Sequence, residues 1–347
     1  MHHMIFGESH GPVIGVTLSG VPAGLALDLD ALQRQLDRRA PGKDATATAR
    51  KESDVAHVVS GLFEGKTTGA PLTILIQNSD QHSSDYDALR YTPRPSHGDY
   101  PGFISSKGCQ DHRGGGHFSG RLTAPLVAAG AVARQILAQQ GITVAAHIAL
   151  IDGTYDAHFE TQADLEAAAA KPFPVLDDEA GEKMRALILD AKESGDSVGG
   201  AVECAVFGLP VGLGAPDFGK NAEGIFAQHL FAVPAVKAVE FGAGTAFGYL
   251  RGSEANDPLT VEDGKVTAAS NNAGGVNGGI TNGSPVVFTA TFRPTPSISL
   301  PQKTVDLRTG EAVDLVIKGR HDPCIVPRAV PVVEAAAALA ACELLGI

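Results

Sequence analysis

The residues that could do chemistry lie in three polar clusters that are far apart in this 347-residue sequence. The first cluster is residues 7–11, where glycines flank Glu8, Ser9 and His10 at the head of a predicted strand. Glycine on both sides allows a tight turn and lets a ligand approach the backbone closely. Taken alone, the cluster is either part of a functional site or a polar turn before a strand.

The second cluster, residues 94–121, combines arginine and histidine with three consecutive glycines at 114–116. The glycines lead into a predicted helix N-terminus, where free backbone N–H groups and the helix dipole favour a bound anion. Arg113 and Arg121 stand on either side of them, and arginine offers fixed, bidentate donors to phosphate and carboxylate. The pattern indicates an anion or cofactor cradle, with a flexible loop of solvated arginines as the alternative.

The third cluster is C-terminal and consists of residues 271–280, 293–297 and 319–324. Its paired glycines, and its hydroxyl residues between prolines, can wrap a flat ring and its phosphate without bulky side chains. Asp322 lies in a loop between histidine and proline, where it can act as a base, tune one, or hydrogen-bond a turn. Cys324 is assigned to packing because no activating base can be identified for it.

Two other site chemistries have little support. The loop histidines, among them His112, are near carboxylates in sequence, but no His-Glu-x-x-His or comparable spacing indicates a metal-dependent hydrolase. The glycines at 212–214 and 242–244 lack the third glycine of a dinucleotide fingerprint. We therefore expect no resident metal and no dinucleotide site of that type.

The composition restricts the partners. The chain has 27 basic and 39 acidic residues, a formal net charge of −12, and 44% hydrophobic residues. An acidic total argues against general attraction to nucleic acid or anionic membrane, and no apolar stretch is long enough to cross a bilayer. Four widely spaced cysteines without a Cys-x-x-Cys pair indicate reduced thiols, and a cytoplasmic location fits best. Any anionic ligand must be held by locally gathered basic residues.

The elements that position the clusters alternate without a regular strand–helix repeat, which predicts α+β layers in a single domain covering residues 1–347. Over residues 78–116 the apolar periodicity disappears, and this region, about 78–118, is interpreted as a long functional loop. Strands are predicted at 13–18, 54–60, 71–77, 142–150, 202–207, 236–241 and 286–292, and helices from Asp28 onward and at 119–140, 165–170, 178–194, 221–231 and 328–345.

Taken together, and in this order along nearly the whole chain, the motifs resemble the chorismate synthase family. They are Gly-Glu-Ser-His-Gly at 7–11, Arg-Arg-Ala-Pro-Gly at 38–42, Arg-Pro-Ser-His at 94–97, Arg-Gly-Gly-Gly at 113–116, Ala-Gly-Gly at 273–275 and Arg-His-Asp-Pro at 320–323. Several separated motifs are far more specific than any one of them.

The resemblance implies a single-domain β-α-β sandwich, with a helical core layer between antiparallel sheets, assembled as a homotetramer. It implies a lyase of the shikimate pathway, which leads to the aromatic amino acids. The reaction is the anti-1,4-elimination of phosphate from 5-enolpyruvylshikimate 3-phosphate to give chorismate, and it requires reduced FMN without net redox change. Such a flavin can donate an electron transiently to the substrate ring and recover it.

The resemblance also implies residue roles. His10 would protonate the departing phosphate or support its charge, His97 would protonate the reduced flavin near N1, and Asp322 would assist proton removal. Substrate contacts carried over are Ser9, Arg39, Arg94, Arg121 and Arg320, with Arg50 and Arg113 as further positions. FMN contacts carried over are His117, Phe118, Ser119, Pro234, Ala235, Gly278, Arg293, Pro294, Thr295, Pro296, Ser297 and Arg320.

Some positions depart from the family pattern. Residues 117–122 read His-Phe-Ser-Gly-Arg-Leu where the family commonly has Arg-Ser-Ser-Ala-Arg-Glu, so FMN contacts there are expected to differ. Ala45 stands near a second family arginine, and Pro234 at a frequent asparagine. A flavin- or phosphometabolite-binding protein without activity is therefore the second hypothesis. NADPH is needed only if the enzyme reduces its own flavin, and the missing fingerprint favours an external flavin reductase.

Overall fold

The computed structural model describes residues 1–42, 45–47, 53–78, 89–217, 219–262, 264–317 and 321–347. Its α-helices are α1 (Leu29–Arg39), α2 (Asp99–Ser105), α3 (Thr123–Ala138), α4 (Gln162–Ala169), α5 (Asp178–Glu193), α6 (Ala222–Phe231), α7 (Gly252–Ala255) and α8 (Val326–Leu344). Short 3-10 helices cover Arg113–Phe118, Gly120–Leu122 and Gly244–Tyr249.

The strands are β1 (His2–Gly7), β2 (Val13–Ser19), β3 (Ala56–Ser60), β4 (Leu62–Phe63), β5 (Lys66–Thr67), β6 (Leu72–Gln77), β7 (Thr143–Ile151), β8 (Thr154–Tyr155), β9 (Gly200–Phe207), β10 (Val236–Phe241), β11 (Leu259–Glu262), β12 (Lys265–Ala268), β13 (Val276–Asn277), β14 (Ile280–Thr281), β15 (Val286–Phe292), β16 (Gln302–Val305) and β17 (Ala312–Leu315). This mixture of helices and sheets agrees with the predicted α+β class.

The first sheet is antiparallel, with the strand order β1-β2-β6-β3. Alternate residues of β2 and β6, such as Val16 and Ile74, are fully buried, while Thr17 and Thr73 on the other face join their hydroxyls at 3.1 Å. This is the period-2 pattern of a sheet with one face on the core. The sheet therefore presents a single apolar face to the helices.

The second sheet is also antiparallel, with the order β10-β15-β9-β7-β8. Its central strand β9 is buried at every residue, so both faces of the sheet are covered. Val202, Cys204 and Val206 on β9 belong to the main hydrophobic core. On the other face, Ala205 and Phe207 pack in a smaller cluster with Leu165 of α4.

Helices α3 and α8 pack on each other, α3 against β2 and β6 of the first sheet and α8 against β7 and β9 of the second. Gly130 permits the close approach of the two helices, since a Cβ there would lie 2.2 Å from the Cβ of Ala335. Such a distance is far below van der Waals contact, so a side chain at 130 would separate the helices. The Ala-rich sequences of both helices thus serve tight backbone packing.

Most predicted elements are present, and the differences have local causes. Asp28 caps α1 as predicted, accepting a hydrogen bond from the Ala31 N–H at 2.8 Å. The predicted helix at 119–140 begins with a 3-10 turn before α3 starts at Thr123. Helix α2 interrupts the predicted loop. Its Pro101 is tolerated because it lies in the first turn, where no backbone donor is required. Residues 79–88 of that loop lie outside the described residues.

Among the helices of the described residues, none combines the length and the apolar character that crossing a bilayer requires. All four cysteines are free thiols, in agreement with the prediction from their spacing. No group of histidine, cysteine and carboxylate side chains suited to a metal ion is found in the described part of the chain.

Candidate active site

A cavity of about 810 Å³ lies where segments of the second and third clusters meet the C-terminal end of α1 and the N-terminal ends of β10 and α8. Most residues that the sequence predicts for the site are on its wall. They are Arg39, Arg94, His97, His117, Phe118, Ser119, Arg121, Pro234, Ala235, Arg293, Thr295, Pro296, Ser297 and Asp322. The fold therefore joins side chains that are up to 283 residues apart in sequence.

Three consecutive glycines bring the first cluster to this cavity. Residues 114–116 have φ angles of 60°, 82° and 54°, which residues with a Cβ adopt only at a cost. A Cβ on Gly114 would lie 2.1 Å from His10 Nδ1 and 2.7 Å from Ser9 Oγ. Gly114 lines the cavity, and Ser9 and His10 are buried directly behind it. Glycine is required here by conformation and by space.

Other predicted positions are not on the cavity wall. Gly278 forms the turn between β13 and β14, and the ring of Pro294 packs against Gly199. Arg113 pairs with Asp111 at 2.7 Å and is 42% exposed. Arg320 and Arg50 lie outside the described residues.

Arg94, His97 and Asp99 form one hydrogen-bonded group on the wall. Arg94 donates from Nε to Asp99 Oδ2 at 2.7 Å and from Nη2 to Asp99 Oδ1 at 2.8 Å, and its Nη1 donates to Ser297 Oγ at 3.1 Å. His97 Nδ1 lies 2.6 Å from Asp99 Oδ1. It is also 3.1 Å from Arg94 Nη2, but two donors cannot bond each other, so Asp99 is its acceptor.

The electrostatics of this group leave His97 neutral. Burial lowers the pKa of His97, and the hydrogen bond to Asp99 offsets this only in part because Arg94 is adjacent. Burial opposes ionisation of Asp99, yet hydrogen bonds from Arg94 and His97 outweigh it and hold the pKa of that carboxyl below its usual range. With the Nδ1 proton bound to Asp99, Nε2 is the nitrogen that can exchange a proton with a ligand.

Arg39 and Arg121 share one buried carboxylate. Arg39 Nη1 donates to Asp54 Oδ2 at 2.8 Å, and Arg121 Nη1 donates to Asp54 Oδ1. Arg39 also donates from Nε to Thr123 Oγ1 at 3.0 Å and from Nη2 to the Gly120 carbonyl at 2.8 Å. The side chain of Asp54 is 0% exposed, so the ion pairs are shielded from solvent.

Further contacts orient the second guanidinium at the end of β6. Arg121 donates from Nε to Asn78 Oδ1 at 2.9 Å and from Nη2 to the Gln77 carbonyl at 3.2 Å. Burial, with Arg328 and Arg121 nearby, lowers the pKa of Arg39 to about 10, so it stays charged at neutral pH. Burial opposes ionisation of Asp54, but the two guanidiniums outweigh it and lower its pKa.

Asp322 lies on the cavity wall just before α8. It accepts a hydrogen bond from Arg328 Nη1, while Arg328 Nε donates to the Arg39 carbonyl at 3.1 Å. Burial, together with the nearby Arg94, lowers the pKa of the adjacent His321. His321 Nε2 and Thr295 Oγ1 are buried without a hydrogen-bond partner among the described residues.

Backbone strain is concentrated at this site. Six non-glycine residues in the described ranges have positive φ, and three of them are Asp54, Ser96 and Ala235. Ser96 and Ala235 line the cavity, and Asp54 forms ion pairs with Arg39 and Arg121 on the cavity wall. Conformations of this kind cost about 1–3 kcal/mol each and are typical of functional sites.

Comparison with known proteins identifies the kind of site. A family model for chorismate synthase matches residues 1–345. The chain belongs to the chorismate synthase family. It is 48% identical to the chorismate synthase of Thermococcus kodakarensis over 96% of this chain and 92% of that protein, and 46% identical to that of Methanosarcina mazei over 96% and 91%. A crystal structure of a chorismate synthase superimposes with a TM-score of 0.76 at 28% identity, covering 99% of this chain and 91% of that one.

Membership of the chorismate synthase family confirms the resemblance read from the motifs. The chain is a carbon–oxygen lyase of the shikimate pathway, and reduced FMN is its cofactor. The cavity fits such a group: Gly114 presents bare backbone on its wall, and Thr295 Oγ1, also on the wall, is buried without a hydrogen-bond partner among the described residues.

Sequence reasoning missed several residues in and around this cavity. Asp54 was read only as the start of a strand, and its partners are 15 and 67 residues away, so no local pattern marks it. Asp99 gave a signal, because it follows His97 by two residues. Arg328 is in the predicted C-terminal helix, but only folding shows that it contacts Asp322.

Proposed function

We propose that this cavity converts 5-enolpyruvylshikimate 3-phosphate to chorismate and phosphate. The supporting observation is the charge of its wall. In the described residues, six cationic side chains and one carboxylate line the cavity, although the whole chain has a net charge of −12. The cations are Arg39, Arg94, Arg121, Lys237, Arg293 and Arg328. A substrate with one phosphate and two carboxylates requires such a local excess of positive charge.

Arg39 and Arg121 are suited to hold the substrate anions. One carboxylate, Asp54, binds both guanidiniums and holds them side by side in a setting shielded from solvent. The contacts to Asp54 also fix both side chains before the ligand binds, which reduces the ordering cost of binding. Ser9, Arg94 and Arg320 are the further substrate contacts of this proposal.

His97 moves a proton through Nε2. Its Nδ1 is held by Asp99, and burial keeps the ring neutral, so Nε2 can take up and return a proton. His10 acts on the departing phosphate; it is buried beside Gly114 of the cavity wall, where a Cβ would lie 2.1 Å from His10 Nδ1. Asp322, oriented by Arg328, assists removal of the substrate proton.

Reduced FMN, when bound, supplies an electron transiently to the substrate ring and recovers it, so that no net oxidation occurs. In this proposal the flavin is held by His117, Phe118, Ser119, Pro234, Ala235, Arg293, Thr295, Pro296 and Ser297 on the cavity wall, and by Gly278, Pro294 and Arg320 beyond it. Phe118 packs over the α2 backbone, where a Cβ on Gly102 would lie 2.5 Å from its ring.

The finer features of fold and assembly belong to the same proposal. One hydrophobic cluster draws on both sheets and on α3 and α8, which supports a single domain with a β-α-β arrangement. Tyr249, Leu259 and Val261 are 91%, 76% and 68% exposed, which supports burial by other copies in a homotetramer. A cytoplasmic location and an external flavin reductase complete the proposal, with NADPH needed only if the enzyme reduces its own flavin.

The test is an anaerobic assay with purified protein, chemically reduced FMN and 5-enolpyruvylshikimate 3-phosphate. We expect chorismate and phosphate to appear in equal amounts, and no product with oxidised FMN. A His57→Ala variant, altered at an exposed position away from the cavity, should react as the parent does. Flavin binding without phosphate release would instead support the catalytically inactive binding protein, and would refute the proposal.

A further inference from the structure

The cations of the cavity wall fall into two groups. Four arginines are paired with carboxylates: Arg39 and Arg121 with Asp54, Arg94 with Asp99, and Arg328 with Asp322. Lys237 and Arg293 have no carboxylate partner among the described residues. Within the part of the chain that the structure describes, no carboxylate therefore compensates their positive charge.

A β-bulge places Lys237 at the cavity. Along β10, Val236 is opposite Phe292 and Ala238 is opposite Thr291, so Lys237 is an extra residue without a partner on β15. Bulges bend a strand and redirect side chains, and they are frequent beside active sites. Ala235, just before the bulge, has a φ of 73°, and the Arg293 N–H donates to its carbonyl at 3.1 Å. The strained turn and the bulge thus hold Lys237 beside the strand end that bears Arg293.

The surroundings of Arg293 point to an anion. Its guanidinium makes one hydrogen bond in the described residues, from Nη1 to the Pro294 carbonyl at 3.4 Å. Burial lowers the pKa of Arg293, so the group loses hydration without gaining a counter-charge from the residues that the structure describes. Thr295 Oγ1, two residues further on, is a buried hydroxyl without a partner in the described part of the chain. Two cations and a free hydroxyl on one wall match the oxygens of a phosphate group.

We infer that Lys237 is a further ligand-binding residue of this site, which together with Arg293 and Thr295 binds the dianion of a phosphomonoester. The inference rests on the proposed function for the choice of ligands, since both FMN and the substrate contain such a group. The bulge supplies the positioning, and the lysine supplies a point charge that can follow the phosphate.

The test measures binding rather than turnover, with Lys237→Met as the variant and Lys183→Met as the control. Lys183 is exposed on α5 and does not line the cavity. Oxidised FMN and riboflavin, which lacks the phosphate, are titrated with each protein and followed by flavin fluorescence. If the phosphate is that of the flavin, Lys237→Met weakens FMN binding about 10- to 100-fold and leaves riboflavin binding unchanged. Lys237→Arg, which keeps the charge, should restore most of the FMN affinity.

If the phosphate is that of the substrate, Lys237→Met instead weakens binding of 5-enolpyruvylshikimate 3-phosphate, measured by calorimetry, by a similar factor without changing the FMN affinity. Unchanged affinity for both ligands, in a variant whose melting temperature equals that of the control, overturns the inference. The proposed function fails differently, through absence of chorismate formation in the parent protein. Even in that case, weaker FMN binding by Lys237→Met would still support the inference.

Discussion

Two histidines, the partly buried His97 at the cavity and the buried His147 on β7, are each hydrogen-bonded to carboxylate, yet their pKa values shift in opposite directions. Burial lowers both pKa values. At His147 this is outweighed by hydrogen bonds from Nδ1 to Asp156 at 2.8 Å and from Nε2 to Glu203 at 2.9 Å, and its pKa is raised. At His97 a single carboxylate is shared with Arg94, and the pKa stays lowered.

The two histidines illustrate that carboxylates bonded to a buried imidazole raise its pKa, whereas burial and a neighbouring guanidinium lower it. His147 uses both nitrogens, which suits a structural role. Its partner Asp156 also accepts from the N–H groups of Leu176 and Asp177, at 2.7 and 2.9 Å, and so links residues 156–177 to the second sheet. His97 keeps Nε2 for the cavity, which suits proton transfer.

The largest expected effect separates the two histidines by activity. His97→Ala should lower turnover by about 100- to 1000-fold, because a positioned proton-transfer group contributes that much, while FMN still binds. His147→Gln should leave turnover per folded molecule within about twofold of the parent. Steady-state assays with reduced FMN, and flavin titrations, measure both. Equal activity of His97→Ala and the parent would remove His97 from the mechanism.

A second effect separates them by stability. His147→Gln should destabilise the protein by about 3 kcal/mol at pH 6, because two buried carboxylates lose their shared cation. A raised folded-state pKa gives stability that is fully present below the unfolded value of 6.5 and is lost as pH rises through the folded value. The difference between parent and variant should therefore shrink above neutral pH.

For His97 the pH dependence of the stability contribution has the opposite sign, because its folded-state pKa is lowered. The unfolded chain binds the extra proton below pH 6.5, so the contribution of His97 to stability should fall as the pH drops below that value. Urea unfolding of the parent, His147→Gln and His97→Ala from pH 5 to 8 measures both slopes. Slopes of the same sign for the two histidines would contradict the comparison.

The smallest expected effect is on the pKa values of the two histidines when their charged neighbours are substituted. Arg94→Gln removes the guanidinium that compensates Asp99 and should raise the pKa of His97. Glu203→Gln removes one of the two carboxylates at His147 and should lower its pKa. Each unit of change corresponds to about 1.4 kcal/mol. NMR titration of the imidazole Cε1–H signals, assigned with the His97→Ala and His147→Gln variants, measures both pKa values. Shifts in the opposite directions would show that the neighbouring guanidinium and carboxylates do not control these pKa values.

Local patterns predicted much of the fold. Apolar alternation located β2, β6, β9 and β15, and a capping residue with helical spacing located α1, because both signals come from near neighbours in sequence. Helix α2 and the hairpins β11–β12 and β16–β17 were missed. Helix α2 is short and contains glycine and proline. The strands of the hairpins have only four residues each, too few for a periodic signal.

The sequence by itself determined the family, the reaction and most of the residue types on the cavity wall, because ordered motifs of glycine, histidine and arginine restrict chemistry. Only the tertiary structure decided which groups contact each other and in which direction their pKa values shift. Asp54 joins Arg39 to Arg121, and His97 shares the Asp99 carboxylate with Arg94, through contacts that depend on distances of a few ångströms. Electrostatic energies and desolvation change steeply over such distances, and sequence spacing does not encode them.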